Sequence, residues 1–174
     1  METIEHLGPN GEPGGEVNSL TLKIAGQSLI SQLCRECPSF ADYWAAHQAD
    51  YGAESDGAFT NACMLAHFVD EELFLRRERE EVTRFLLLLE TLFIGGNEAK
   101  RDLIGIGFIE DLANITSGRK DGHQVVTPLL PPVLLQVWQY IERVWSGRQS
   151  LMEVLAAEKR SPVVQAKWAD IITF

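Results

Sequence analysis

Apolar residues recur at three- and four-residue intervals through most of this chain, the spacing that gathers them on one face of a helix. Over about 19–36, Leu22, Gly26, Leu29 and Leu33 form such a face, and Pro38 stops the segment. Ser39 is suited to cap a second helix running to about residue 51. After a Gly-Ala-Glu-Ser-Asp-Gly stretch, Phe59, Ala62, Ala66, Val69 and Leu73 predict a third helix over about 58–75. The clearest signal spans about 82–115. Val82, Phe85, Leu86, Leu89, Leu92 and Phe93 form one buried face, Gly95-Gly96 breaks the helix, and Asn97 restarts it as a cap. From Leu103 to Ile115 apolar residues lie almost all round the axis. At about 100° per residue, Gly107, Glu110, Asp111 and Asn114 share the one polar stripe.

The stretch TSGRKDGHQ then reads as a polar loop. Pro128, Pro131 and Pro132 lead into a helix striped by Leu134, Val137, Trp138, Ile141, Val144 and Trp145. Residues 151–174 read as a short helix and another opened by Ser161-Pro162. Few runs alternate with a period of two. The pattern predicts an all-α fold of about seven or eight helices, an irregular antiparallel bundle with a HEAT-like array as its nearest variant. No fixed-period repeat supports a true solenoid.

Charge is distributed unevenly. The 174 residues carry a formal net charge of −10. Residues 1–18 hold four Gly, two Pro and four Glu without a Lys or Arg, a composition that predicts a flexible acidic tail before a single domain over 19–174. This balance argues against binding nucleic acid or an anionic membrane, and it suits a basic protein partner. The first residues have no basic stretch followed by an apolar one, and no apolar run is long enough to span a bilayer. Three cysteines make no disulfide framework. Together these features predict a cytoplasmic protein.

Candidate chemistry is sparse. Cys34-x-x-Cys37 and Cys63-x-x-x-His67 have near-ligand spacing for zinc. Against that, Cys63 falls near an apolar helix face and the first pair lies on a helical turn. Glu90, Glu110 and Asp111 are the carboxylates placed to converge across the central helix pair. The competing reading is that Glu90 and Glu110 accept hydrogen bonds from a helix N-terminus, or pair with Arg84 or Arg101. No Glu-x-x-His pair, GxSxG, HExxH or P-loop occurs. Neither a catalytic residue nor a metal or other cofactor is expected. The run Asp70-Glu71-Glu72 with Glu78, Glu80 and Glu81 is either a self-compensated solvated face around Arg76, Arg77 and Arg79, or an acidic contact surface. Tyr43 and Trp44, beside Asp42 and Asp50, are its candidate aromatic anchors, unless they serve only to pack the second helix onto the core.

The order ECPSF (36–40), Asp50-Tyr51-Gly52, FLLLLETLFIGGNEAKRDLIGIGFIEDLANI and TPLLPPVLLQVWQYIERVW resembles a small bacterial all-helical family of unknown biochemical function. The resemblance covers about residues 29–145 and is most specific over 85–114. Pro132 departs from the pattern, standing where an ordinary helix-starting residue is expected. Members resemble cytoplasmic immunity proteins of polymorphic toxin systems. The resemblance therefore implies an immunity protein that binds and occludes a cognate basic toxin. The partner-binding residues expected on this reading are Tyr43, Trp44, Asp50, Asp70, Glu71, Glu72, Glu110 and Asn114. A regulatory or adaptor module without a toxin partner is the alternative from a different class.

Overall fold

Every regular element among the described residues is helical, as the spacing of apolar residues predicts. The computed structural model describes residues 19–51 and 57–146. The tail read over 1–18 and the helices read over 151–174 lie outside them. Helix α1 is Ser19–Glu36 and α2 is Pro38–Tyr51. Helix α3, Ala58–Asp70, continues into a π-helical turn, Glu71–Arg76. Arg77 then adopts a left-handed backbone (φ 64°), which reverses the chain into α4, Arg79–Ile94. Helix α5 (Glu98–Asp102), a π-helical segment (Leu103–Glu110) and α6 (Asp111–Ser117) follow one another without a break. Helix α7 is Gly122–Val126, a 3-10 turn covers Thr127–Leu129, and α8 is Pro132–Trp145.

The core centres on α3, which packs against Leu103–Glu110, α6 and α1. Leu29, Leu33, Phe40, Leu65, Phe68, Val82, Phe85, Leu89, Phe93, Phe108, Leu134 and Trp138 are all buried. Burial on this scale is the main drive for an otherwise marginal set of short helices. The stripe of α8 reaches the core from Leu134 to Ile141, whereas Trp145, in its last turn, stays 45% exposed.

Gly107 decides how closely the central elements approach. A Cβ there would lie 2.6 Å from the Ala62 Cβ and 3.3 Å from Phe59. The segment therefore packs nearly backbone to side chain against α3. This corrects the polar stripe: Gly107 is buried, Glu110 and Asp111 are half-buried, and only Asn114 is exposed. The cause is α3, which covers this face: Ala62 and Phe59 lie against Gly107, and Cys63 and His67 lie beside Asp111.

Two local readings also change. Helix α2 begins at Pro38, which needs no N–H in the first turn, so Ser39 is helical and its hydroxyl turns to Glu81. The stretch read as a loop after Ile115 is half helical, since α6 runs to Ser117 and α7 starts at Gly122. His123, in α7, is within 3.0 Å of the Ala113 carbonyl and 3.1 Å of Glu142, and its ring meets Trp138 edge-on. These contacts join α6, α7 and α8.

Candidate functional site

The N-terminal ends of α2 and α4 meet in an acidic pole built around Glu81. Cys37 lies between α1 and α2, and its thiol donates to Glu81 at 3.3 Å. Ser39 and Arg84 also donate to the Glu81 carboxylate. The Ser39 hydroxyl is the main reason that Glu81 stays ionised below the usual carboxylate range. Glu36, Pro38, Phe85 and Leu88 complete a cavity of about 560 Å³ over this network. Burial pushes the Cys37 thiol up, and Cys34 beside it is raised for the same reason. Neither is therefore set up as a thiolate nucleophile.

The run from Asp70 to Glu81 divides into buried and exposed parts. Asp70 and Glu72 are buried, at 8% and 3% exposure. Asp70 accepts a two-point bond from Arg119, whose guanidinium also lies over the Phe74 ring at 5.5 Å. Glu72 pairs with Arg76 at 2.9 Å, and Arg76 reaches Glu71 at 2.8 Å. Burial first, and then the neighbouring Glu71, Glu81 and Glu78, push the Glu72 carboxyl up despite Arg76. A charge reversal at Glu72 therefore tests folding before binding. Glu78 and Glu80 remain exposed, and they with Glu71 are the carboxylates of this run open to a partner.

Tyr43 and Trp44 both stack on Phe40, with ring centroids 6.3 and 6.2 Å apart, and Tyr43 also meets Phe68. They pack α2 onto the core while each keeps a half-exposed edge. Burial, and then Glu71 and Asp70, raise the Tyr43 hydroxyl to about 12, so Tyr43 borders the acidic run. Trp44 faces a separate groove between α1, α2 and the start of α3. Asp50 is exposed near the end of α2.

Glu110 and Asp111 lie along the seam with α3, where both raise the Cys63 thiol, though less than burial does. His67 approaches Asp111 at 4.0 Å, and the buried Asp111 Oδ2 has no hydrogen-bond partner. The four residues with zinc-like spacing fall into two places: Cys34 lies beside Cys37, which faces Glu81, and Cys63 and His67 face α6. Among the described residues, no group of three or more His, Cys, Asp or Glu is arranged to hold a metal ion.

Glu90 and Glu110 do not form a pair acting on one centre. Glu90 accepts the Val133 N–H at the start of α8, one of the two roles read for it as a structural residue. Arg84 pairs with Glu81, and Arg101 caps the end of α4 by donating to the Phe93 and Ile94 carbonyls. The role of Glu81 was missed in the sequence because its partners, Cys37 and Ser39, are more than forty positions away. The only hint was that Ser39 directly follows the proline opening α2.

Among the described residues no helix is long and apolar enough to cross a membrane. Residues 30–146 match the family model described as a domain of unknown function (DUF7674), well over half the chain, and the chain belongs to that family. No curated protein and no solved structure matches it.

Proposed function

We propose that this member of the DUF7674 family is an immunity protein, which binds a basic toxin domain one to one and covers its active site. The reading rests on the resemblance over residues 29–145 and, in the structure, on one observation. At the acidic pole Glu71, Glu78 and Glu81 are close enough for each to raise Glu72, while Glu78 and Glu80 stay exposed. Exposed Arg76, Arg77, Arg79 and Arg84 intersperse these carboxylates, so the pole sets a partner's orientation, while the net charge of −10 speeds encounter with a basic surface. The pole is preorganised. Glu81 is fixed by Cys37, Ser39 and Arg84, so little side-chain entropy remains to be lost on docking. Tyr43 borders it as a half-buried aromatic, the residue type that supplies binding energy at interface centres.

Co-expression with the protein encoded next to this gene tests the reading. A growth defect caused by the neighbour, relieved by this chain, and a one-to-one complex on purification are the expected results. A neighbour that is neither toxic nor bound overturns the reading and leaves the regulatory or adaptor one in its place.

A further inference from the structure

His123 stands where α6, α7 and α8 meet, and both of its ring nitrogens face acceptors. Nε2 lies 3.0 Å from the Ala113 carbonyl of α6, and Nδ1 lies 3.1 Å from the Glu142 carboxylate of α8. A carbonyl and an ionised carboxylate can only accept, whereas a neutral imidazole carries a single N–H. Only the doubly protonated ring therefore makes both contacts. A proton shared between the pair resides on the imidazole, the stronger base of the two. Glu142 keeps 42% of its side chain exposed, the setting that suits a charged carboxylate. Of the other charged groups on these elements, Asp111 of α6 approaches His67, and Arg119 is held by Asp70. Lys120, Asp121 and Arg143 are exposed.

We infer that His123 is a pH-operated latch, which ties the C-terminal half of α8 to α6 while its ring carries both protons and releases it when one is lost. In the neutral ring one nitrogen turns a lone pair towards an acceptor, so one of the two contacts becomes repulsive. The latch is therefore closed at lower pH and opens as pH rises through the range in which histidine changes charge. The two halves of α8 are unequally held. Its start is tied to α4 by Glu90 and Val133, and Leu134, Val137 and Trp138 are fully buried. Towards its end Val144 is half-buried and Trp145 exposed, so the pair of His123 and Glu142 bears more of the load there. Among the described residues the Trp138 indole N–H, buried against the His123 ring, has no acceptor. The latched position thus leaves a donor unmet, and moving this part of the helix costs less. Weakly packed helix ends open locally before the fold as a whole. The latch joins α6 to α8 away from the acidic pole, so the inference stands independently of the toxin reading.

The test uses the full chain labelled with ¹⁵N. Amide hydrogen exchange is measured at about pH 5.5 and about pH 8, either side of the ordinary histidine range, and corrected for the pH dependence of intrinsic exchange. The amides of Tyr140 to Trp145 are expected to open about tenfold more often at the higher pH, as for the loss of one hydrogen bond to a charged group. Those of Leu134 to Val137 should not change. The ring ¹⁵N signals should show two protonated nitrogens at the lower pH and one at the higher. Glu142→Gln should abolish the difference in opening, because a glutamine amide donates to the neutral Nδ1 as readily as it accepts from the charged ring. Equal opening at the two pH values, a change spread evenly along α8, a singly protonated ring at the lower pH, or a difference that survives Glu142→Gln each overturns the inference.

Discussion

The Glu90 carboxylate accepts the backbone N–H of Val133 at 2.5 Å, tying the middle of α4 to the first turn of α8. Pro131 occupies the cap position and Pro132 the first helical position, so neither offers an N–H or a capping side chain. Val133 is then the first donor of the helix, and Glu90 satisfies it from another element. The proline that departs from the family resemblance has this physical setting. Glu90→Ala is expected to lower stability by about 1–2 kcal/mol, in the range for losing a helix cap. Glu90→Gln, which keeps an acceptor, should cost less. Urea denaturation of both variants checks the order.

Leu89 and Phe108 are fully buried in the central helices. Replacing either by Ala is expected to cost about 2–5 kcal/mol, and a loss below about 1 kcal/mol means that the faces are wrongly assigned. Gly107→Ala should cost about 1–3 kcal/mol by overpacking, because the new methyl would lie 2.6 Å from the Ala62 Cβ and 3.3 Å from Phe59.

Much of this fold was legible in the sequence because its signals are local. Pro38 separates α1 from α2, Gly95-Gly96 ends α4, and the Asn97 side chain caps α5 by accepting the Lys100 N–H at 3.0 Å. Leu134, Val137, Trp138 and Ile141 are buried as their spacing predicts. What stayed illegible depends on bonding or partners that no local pattern reports. Gly107 is buried because Ala62 and Phe59 of α3 cover it. Asp70 looks like part of a solvated acidic run until Arg119, forty-nine residues later, is placed beside it. Tyr43 and Trp44 stand both in the core and at the surface, which periodicity alone does not resolve.

The ionisable groups give stability a defined dependence on pH. Glu81 is held below the usual carboxylate range, chiefly by Ser39. Its contribution is complete above the unfolded value of about 4.3 and is lost as pH falls through the lower, folded value. Ser39→Ala should therefore shrink the difference in stability between neutral and acidic pH. Tyr43 behaves in the opposite sense. Its hydroxyl is raised to about 12, so its contribution is complete below about 10 and is lost as pH rises towards 12. Tyr43→Phe should remove that alkaline loss, as followed by thermal melts across the range.

Asp111 is raised by burial, with His67 only partly opposing this, and its Oδ2 is buried without a hydrogen bond. Its preference for the protonated form is satisfied at low pH and lost as pH rises through its raised value. Asp111→Asn, which removes the buried charge and leaves a neutral polar group in its place, is expected to stabilise the protein at neutral pH by about 1 kcal/mol. Differential scanning calorimetry at neutral and acidic pH should show the gain shrinking as the wild-type carboxyl protonates.

The proposed function has the exposed carboxylates of the acidic pole steer a basic toxin onto this chain. Stopped-flow association with the product of the neighbouring gene, across a series of salt concentrations, tests this steering. The on-rate is expected to fall steeply as salt screens the field, and Glu78→Lys with Glu80→Lys is expected to slow association more than it speeds dissociation. An on-rate indifferent both to salt and to this reversal contradicts it.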